Sequence, residues 1–275
     1  MQKFENIQAL IIDMDGVLWH GQHPLPGLSN FFAALRELDL PLILATNNAS
    51  LTPKQYVAKL AGMGVRIGRH EILTSAMATA AFLAESNKPD NTRVFVIGEE
   101  GAREPLLEHG FRLCDNLDFA ARTNPTVDLV VCGLDRHLTW KKLSMATLHI
   151  RAGAKLIATN GDTSLPTEHG ITIGNGAILA ALQAATGVVA TTIGKPEPIM
   201  YQQAIKQLGH TAEKTIAIGD RLDTDILGAV RANMRSILVL TGISKLEDLA
   251  TSNFQPTWVM PDITAVTAAL LKLKI

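Results

Sequence analysis

Two carboxylates, Asp13 and Asp15, stand at the abrupt end of the apolar run Ala9-Leu10-Ile11-Ile12 and are followed at once by Gly16. Like charges held this close repel one another unless a cation or a proton separates them. A hard divalent cation such as Mg2+ takes oxygen ligands and keeps waters free for a substrate phosphate, so it resolves that repulsion. Asp and Gly are also common turn formers, and this stretch alone reads equally well as a strand followed by a tight turn.

Three further tips carry polar residues that match the first. Pro41-Leu42-Ile43-Leu44-Ala45 ends in Thr46-Asn47-Asn48, Val188 to Ile193 reads as a strand leading to Gly194-Lys195-Pro196, and Thr215-Ile216-Ala217-Ile218-Gly219 ends in Asp220, with Asp225 shortly after. Short apolar runs of this kind read as buried strands of a parallel sheet, and ligands bind beyond the carboxyl ends of such strands. All four tips are therefore expected on one edge. Three acids supply a metal site, a lysine neutralises phosphate charge, and a threonine hydroxyl with amide donors holds phosphoryl oxygens. Attack of one carboxylate on phosphorus would form an acyl phosphate. A second carboxylic acid two residues on could protonate the leaving alkoxide and then activate water as a base.

The elements that must position these residues alternate along the chain. Helical spacing runs over Asn30 to Leu38, Tyr56 to Met63, Met77 to Glu85, Ala102 to His109, Lys141 to Ala152, Asn175 to Thr186, Pro198 to Leu208, Thr224 to Ala232, Lys245 to Leu249 and Ile263 to Lys272. Between them lie apolar runs such as Val94 to Gly98, Leu129 to Gly133, Leu156 to Thr159, Ser236 to Leu240 and Trp258 to Met260. This alternation predicts an α/β fold with a Rossmann-like parallel core. Thr159 to Pro166 and Gly170 to Gly176 read as turn-rich loops facing ligand, while Val17 to Gly27 reads as a loop or hairpin whose Trp19, His20 and His23 are within reach of one. Asp223 is read as a solvated turn residue.

At 275 residues the chain is long enough for two domains. Its formal net charge of −1 gives no electrostatic footprint for nucleic acid or an anionic membrane, so the expected partner is a small molecule. Cys114 and Cys132 are too few for a disulfide scaffold and read as buried small hydrophobes in a reducing compartment. The first residues lack the pattern of a signal peptide, and a soluble cytoplasmic protein is expected. A homo-oligomer is left open.

Taken together, Asp13-Met14-Asp15-Gly16-Val17, Thr46-Asn47-Asn48, Gly194-Lys195-Pro196 and Gly219-Asp220-Arg221-Leu222-Asp223-Thr224-Asp225-Ile226 resemble the four motifs of the haloacid dehalogenase (HAD) superfamily. The closest likeness is to its subfamily IIA, the NagD and 4-nitrophenylphosphatase-like phosphatases. That resemblance implies a core made of residues 1–77 and 189–275 with an inserted α/β (C2-type) cap over 78–188, where Gly133-Leu134-Asp135-Arg136 and Ala158-Thr159-Asn160-Gly161-Asp162 fit the cap pattern. It implies Asp13 as nucleophile and Mg2+ ligand, and Asp15 as general acid/base that also binds metal through its backbone carbonyl. Thr46 and Asn47 then hold phosphate, with Asn48 beside them. Lys195 orients nucleophile and phosphate, Asp220 ligates the metal directly, and Asp225 supports it through water. The implied activity is hydrolysis of small phosphomonoesters such as nucleoside monophosphates, phosphoglycolate, sugar or glycerol phosphates, or pyridoxal phosphate. A phosphotransferase and a non-catalytic phospho-metabolite-binding protein are the alternatives. Vertebrate pyridoxal-phosphatase relatives carry a cap-loop histidine before a proline where this chain has Leu165, and Gly174-Asn175-Gly176 replaces the usual Pro-Gly-x-Gly. An apolar Leu165 cannot donate a hydrogen bond, which implies a different or looser leaving-group preference.

Overall fold

The computed structural model describes residues 4–114, 126–167 and 170–274; the sequence reading of the first three residues lies outside them. Packing divides the chain into two compact units. One comprises Met1–Thr46, Pro53–Leu73 and Lys195–Ile275, the other Asn47–Thr52 and Thr74–Gly194. The strands, in chain order, are β1 (Ala9–Ile12), β2 (Trp19–His20), β3 (His23–Pro24), β4 (Leu42–Thr46), β5 (Ile72–Thr74), β6 (Arg93–Ile97), β7 (Arg112–Leu113), β8 (Leu129–Cys132), β9 (Lys155–Ala158), β10 (Ser164–Thr167), β11 (Gly170–Ile173), β12 (Thr191–Thr192), β13 (Thr215–Gly219), β14 (Arg235–Val239) and β15 (Trp258–Met260).

The first unit is built on a sheet of order β15-β14-β13-β1-β4-β5. β1 lies between β13 and β4 and pairs with both in parallel, setting Ile12 opposite Ile218 and Leu44. Every residue of β1 is buried because a parallel strand is covered on both faces, which is why Ala9-Leu10-Ile11-Ile12 is a continuous apolar run. β14 continues the parallel pairing beyond β13, with Ile237 beside Ile218. The register brings the carboxyl ends of β1, β4, β13 and β14 to the same edge.

Helices cover this sheet where the apolar spacing dictates. Leu28–Glu37 buries Leu28, Phe31, Phe32, Ala34 and Leu35, one stripe at helical spacing. Pro53–Gly62 opens on a proline, whose fixed φ suits a first helical turn, and buries Tyr56 and Leu60. Pro198–Leu208 ends at Gly209, which takes the left-handed conformation at φ 69°. Ile263–Leu271 is capped by the Asp262 side chain, which accepts from the Ala265 amide at 2.8 Å.

The second unit has its own parallel sheet, of order β12-β9-β8-β6-β7. Its core gathers Phe95, Ile97, Val130, Cys132, Leu156 and Ala158 from the strands with Met145, Ile150, Ile178 and Leu182 from the helices Trp140–Arg151 and Asn175–Thr186. Each such fully buried aliphatic side chain contributes roughly 1.5–3 kcal/mol.

Several expectations change here. The turn-rich segments around Ser164 and Gly170 form an antiparallel hairpin, β10 with β11. The strand expected over Val188 to Ile193 shrinks to β12, since Val189 is exposed. Over Thr224 to Ala232 the chain first makes a wide π-type turn, Leu222–Ile226, and only then the short helix Leu227–Arg231. Lys245 to Leu249 gives a 3-10 turn over Leu246–Ala250 rather than an α-helix. Cys132 is buried as expected, but Cys114 is half-exposed. Among the described residues no helix is long and apolar enough to cross a membrane.

Candidate active site

Lys195 stands at the centre of the polar cluster in the first unit. Its side chain is 3% exposed, and its Nζ donates to Asp13 Oδ1 in a short contact, to Asp225 Oδ1 at 2.6 Å and to the Ala45 carbonyl at 3.1 Å. It reaches them differently from expectation. The strand before it, β12, belongs to the sheet of the second unit, and Lys195 enters the first unit in the connection to the helix Pro198–Leu208. Only Asp13, Thr46 and Asp220 follow or end strands of the first unit's sheet.

The wide turn after β13 folds Asp225 back toward that strand, so that its Oδ2 accepts from the Arg221 amide at 3.1 Å. Both Asp225 oxygens are thereby engaged, and the Asp225 carbonyl accepts from the Tyr201 hydroxyl at 3.1 Å. Asp220 Oδ2 accepts from the Ile243 amide at 2.8 Å, and its carbonyl from the Ser244 amide at 3.1 Å. Asp13, Asp220 and Asp225 can each present one carboxylate oxygen so that all lie within 4.8 Å of one another. Two motif glycines make this packing feasible. Gly16 has φ +81°, and a Cβ there would fall 2.5 Å from Asp220 Oδ2; a Cβ on Gly219 would overlap the Asp225 side chain.

Three acids around one ammonium, Asp220 and Asp225 buried and Asp13 partly so, do not balance. For Asp13, burial raises the pKa well above the usual carboxylate range; Lys195 opposes this, while Asp225 and Asp220 add to it. Asp220 is pushed up to about 7, first by burial and then by Asp225. Burial alone would lower Lys195, but Asp13 and Asp225 outweigh it and hold the ammonium well above its ordinary value. An excess of hard oxygen donors in a site that resists negative charge is a donor set suited to a divalent metal ion. In the metal-free protein the folded state holds a proton on Asp220 that the unfolded chain releases near pH 4, so stability falls as pH rises from roughly 4 toward 7. Thermal unfolding in chelator at pH 5 and pH 7 is expected to show the lower midpoint at pH 7, and excess Mg2+ to remove that difference; equal chelated midpoints would count against it.

The remaining candidates divide. The Asp15 side chain is exposed and lies outside the three-acid group; its Oδ1 accepts from Trp19 Nε1 at 2.7 Å. Thr46 is buried at the end of β4 and shares a hydrogen bond with the Tyr56 side chain. At Asn47 the chain passes into the second unit. There Asn47 Nδ2 donates to Asp162 Oδ2 at 3.1 Å, and its carbonyl accepts from Ser75 Oγ at 2.7 Å and Asn160 Nδ2 at 2.8 Å. Asn48 Oδ1 accepts from the amide of Ser50 at 3.0 Å and from its hydroxyl at 2.7 Å, a local turn. His20 and His23 face each other across an exposed two-residue hairpin, whereas Trp19 is fully buried. Asp223 is exposed but not merely solvated, since it pairs with Arg221 at 2.8 Å.

Sequence reasoning passed over the segment after β14, where Thr241 Oγ1 donates to the Gly16 carbonyl at 2.7 Å and Ile243 and Ser244 hold Asp220. Its one signal was a Thr-Gly pair just past an apolar strand.

A model of the haloacid dehalogenase-like hydrolase family matches residues 10–112, and an HAD-hydrolase-like model matches residues 192–266. A Bacillus subtilis protein named 5'-nucleotidase YutF is 37% identical, over 94% of this chain and 96% of its own. The chain belongs to the haloacid dehalogenase-like hydrolases. Within that family it is NagD-like: the structure of NagD from Escherichia coli K-12 superposes with a TM-score of 0.85 at 32% identity, covering 94% of this chain and 97% of NagD. A Staphylococcus epidermidis family member named acid sugar phosphatase is 36% identical over 98% of this chain and all of its own. Asp13 and Thr46 lie within the first matched range, and Lys195, Asp220 and Asp225 within the second.

Proposed function

We propose that this HAD hydrolase cleaves small phosphomonoesters in a Mg2+-dependent reaction that passes through an aspartyl phosphate on Asp13. The observation that carries the reading is the buried ammonium of Lys195 held between Asp13 and Asp225, with Asp220 beside them. Asp13 attacks phosphorus and forms the acyl phosphate, while Lys195 fixes the attacking carboxylate and offsets charge on the phosphoryl oxygens. Asp15 gives its proton to the departing alkoxide and then, as the carboxylate, takes one from the hydrolytic water. Thr46, with Asn47 and Asn48 after it, supplies neutral donors to the phosphate. Asp13, Asp220 and the backbone carbonyl of Asp15 would hold the metal, with Asp225 behind them; when bound it neutralises phosphate charge and favours in-line attack.

The segment 78–188 takes the role of the cap that selects the leaving group. Nucleotides and sugar phosphates are the substrates proposed first, a reading supported by relatives named 5'-nucleotidase and acid sugar phosphatase. A cytoplasmic site of action is part of the proposal, supported by a content of two cysteines in 275 residues, too few for a disulfide scaffold.

Phosphate release from a panel of nucleotides, sugar phosphates, phosphoglycolate, glycerol phosphate and pyridoxal phosphate tests this directly. Turnover with Mg2+ that chelator suppresses is expected. Absence of turnover across the panel by a folded protein that binds Mg2+ would refute it.

A further inference from the structure

We infer that Trp19 is a positioning residue that fixes which oxygen of Asp15 carries the proton delivered to the leaving group; the inference rests on the acid/base reading of Asp15 given above. The chain coils tightly between the two residues. The Val17 and Leu18 amides both donate to the Met14 carbonyl, at 3.3 and 2.8 Å, and the Gly16 amide donates to the Trp19 carbonyl at 2.8 Å. This coil turns the Trp19 side chain back onto Asp15, whose Oδ1 accepts from the indole N–H at 2.7 Å.

The two side chains differ in freedom. Trp19 is fully buried, so its ring has one orientation, whereas Asp15 is exposed and without an anchor would turn about its Cα–Cβ bond. Lys59, from the helix Pro53–Gly62, stands 4.2 Å from the indole centroid and packs the ring from outside.

Chemistry then selects the oxygen. An indole N–H donates and has no lone pair to accept with, so Oδ1 must act as acceptor in both protonation states of Asp15. In the protonated acid the carbonyl oxygen is a stronger acceptor than the hydroxyl oxygen, so the hydrogen bond to Oδ1 favours the proton on Oδ2. A carboxyl held by one oxygen presents the other in a fixed direction, and general acid catalysis depends on that alignment. A tryptophan serving only the core would have needed any acceptor for its N–H, and its replacement would affect all substrates alike.

Leaving-group dependence separates these roles. A 4-nitrophenolate departs without a proton, whereas the alkoxide of a sugar or glycerol phosphate needs one. Steady-state kcat/KM is measured on 4-nitrophenyl phosphate and on the best alkyl phosphate of the panel, for wild type, Trp19→Phe and Asp15→Asn. Trp19→Phe is expected to depress the alkyl ester roughly tenfold more than the aryl ester, a fraction of the 10²- to 10⁴-fold typical of general acid catalysis. Equal losses on both esters, or none, would overturn the inference. Should Trp19→Phe misfold, benzothienylalanine at position 19 keeps the bicyclic shape without the N–H, and the same ratio decides. Asp15→Asn guards the premise: if it lowers both esters alike, the acid role itself has failed, whereas selectivity in Asp15→Asn without selectivity at position 19 removes Trp19 alone.

Discussion

Asp13→Asn is expected to abolish phosphate release, with a loss on the order of 10⁴-fold or more in kcat under saturating Mg2+. The carboxamide is nearly isosteric, but its oxygen is a poor nucleophile and cannot form the acyl phosphate. The effect on stability should run the other way. Burial raises the Asp13 pKa, Lys195 opposes it, and Asp225 and Asp220 reinforce it, so the net environment disfavours the charged form. A neutral side chain relieves that repulsion, and the chelated variant is expected to unfold no lower than chelated wild type. The two readouts together tell a lost nucleophile from a damaged fold. An inactive variant whose midpoint fell sharply would say that Asp13 matters chiefly as the partner of Lys195, and residual turnover above a hundredth of wild type would exclude it as nucleophile.

What was legible in the sequence was the charge at the ends of apolar runs. Asp13 and Asp220 each follow directly on a strand buried on both faces; one such acid reads equally well as a turn former, but the recurrence of polar residues at the ends of several apolar runs is visible without a structure. Lys195 was legible as part of a Gly-Lys-Pro motif, yet its route was not. A parallel strand of one sheet looks the same as a strand of another, and β12 proved to belong to the second unit. The partners that orient the acids were illegible for a different reason. Ile243 acts through a backbone amide, Tyr201 through a hydroxyl on an otherwise apolar helical stripe, and Trp19 through one N–H on a ring that reads as core. None of these donors leaves a pattern in residue types. The β10–β11 hairpin escaped notice because β11 has no buried face: all four of its residues, Ile171 and Ile173 included, are exposed, so hydrophobic period gives no signal there.

Lys195→Met should bring the largest loss of stability of any single change in the site. Methionine matches the length of the lysine stem and keeps the volume filled, so the effect reports the ammonium rather than a cavity. Removing it leaves Asp13 and Asp225 facing each other in a buried site with Asp220 beside them, and only the Arg221 amide still donates to Asp225 Oδ2. Taking one partner from a buried ion pair destabilises a protein by about 3–5 kcal/mol. In a chain of this size that corresponds to a fall in melting temperature of roughly 10 °C. Asp220, with its carboxyl already pushed up to about 7 while the lysine is present, would be driven higher, so the chelated variant should unfold still more readily at pH 8 than at pH 6. A divalent cation replaces part of the missing positive charge, and saturating Mg2+ should therefore recover more of the melting temperature in Lys195→Met than it adds to wild type. It should not recover the rate, because the ammonium also fixes the attacking carboxylate, and a loss of about 10² to 10³ in kcat is expected to persist. Differential scanning calorimetry with and without Mg2+, set beside phosphate release, reads both quantities. A melting temperature within about 3 °C of wild type in chelator would mean that the acids lose their charge when the lysine is gone. The buried ammonium would then serve the reaction alone.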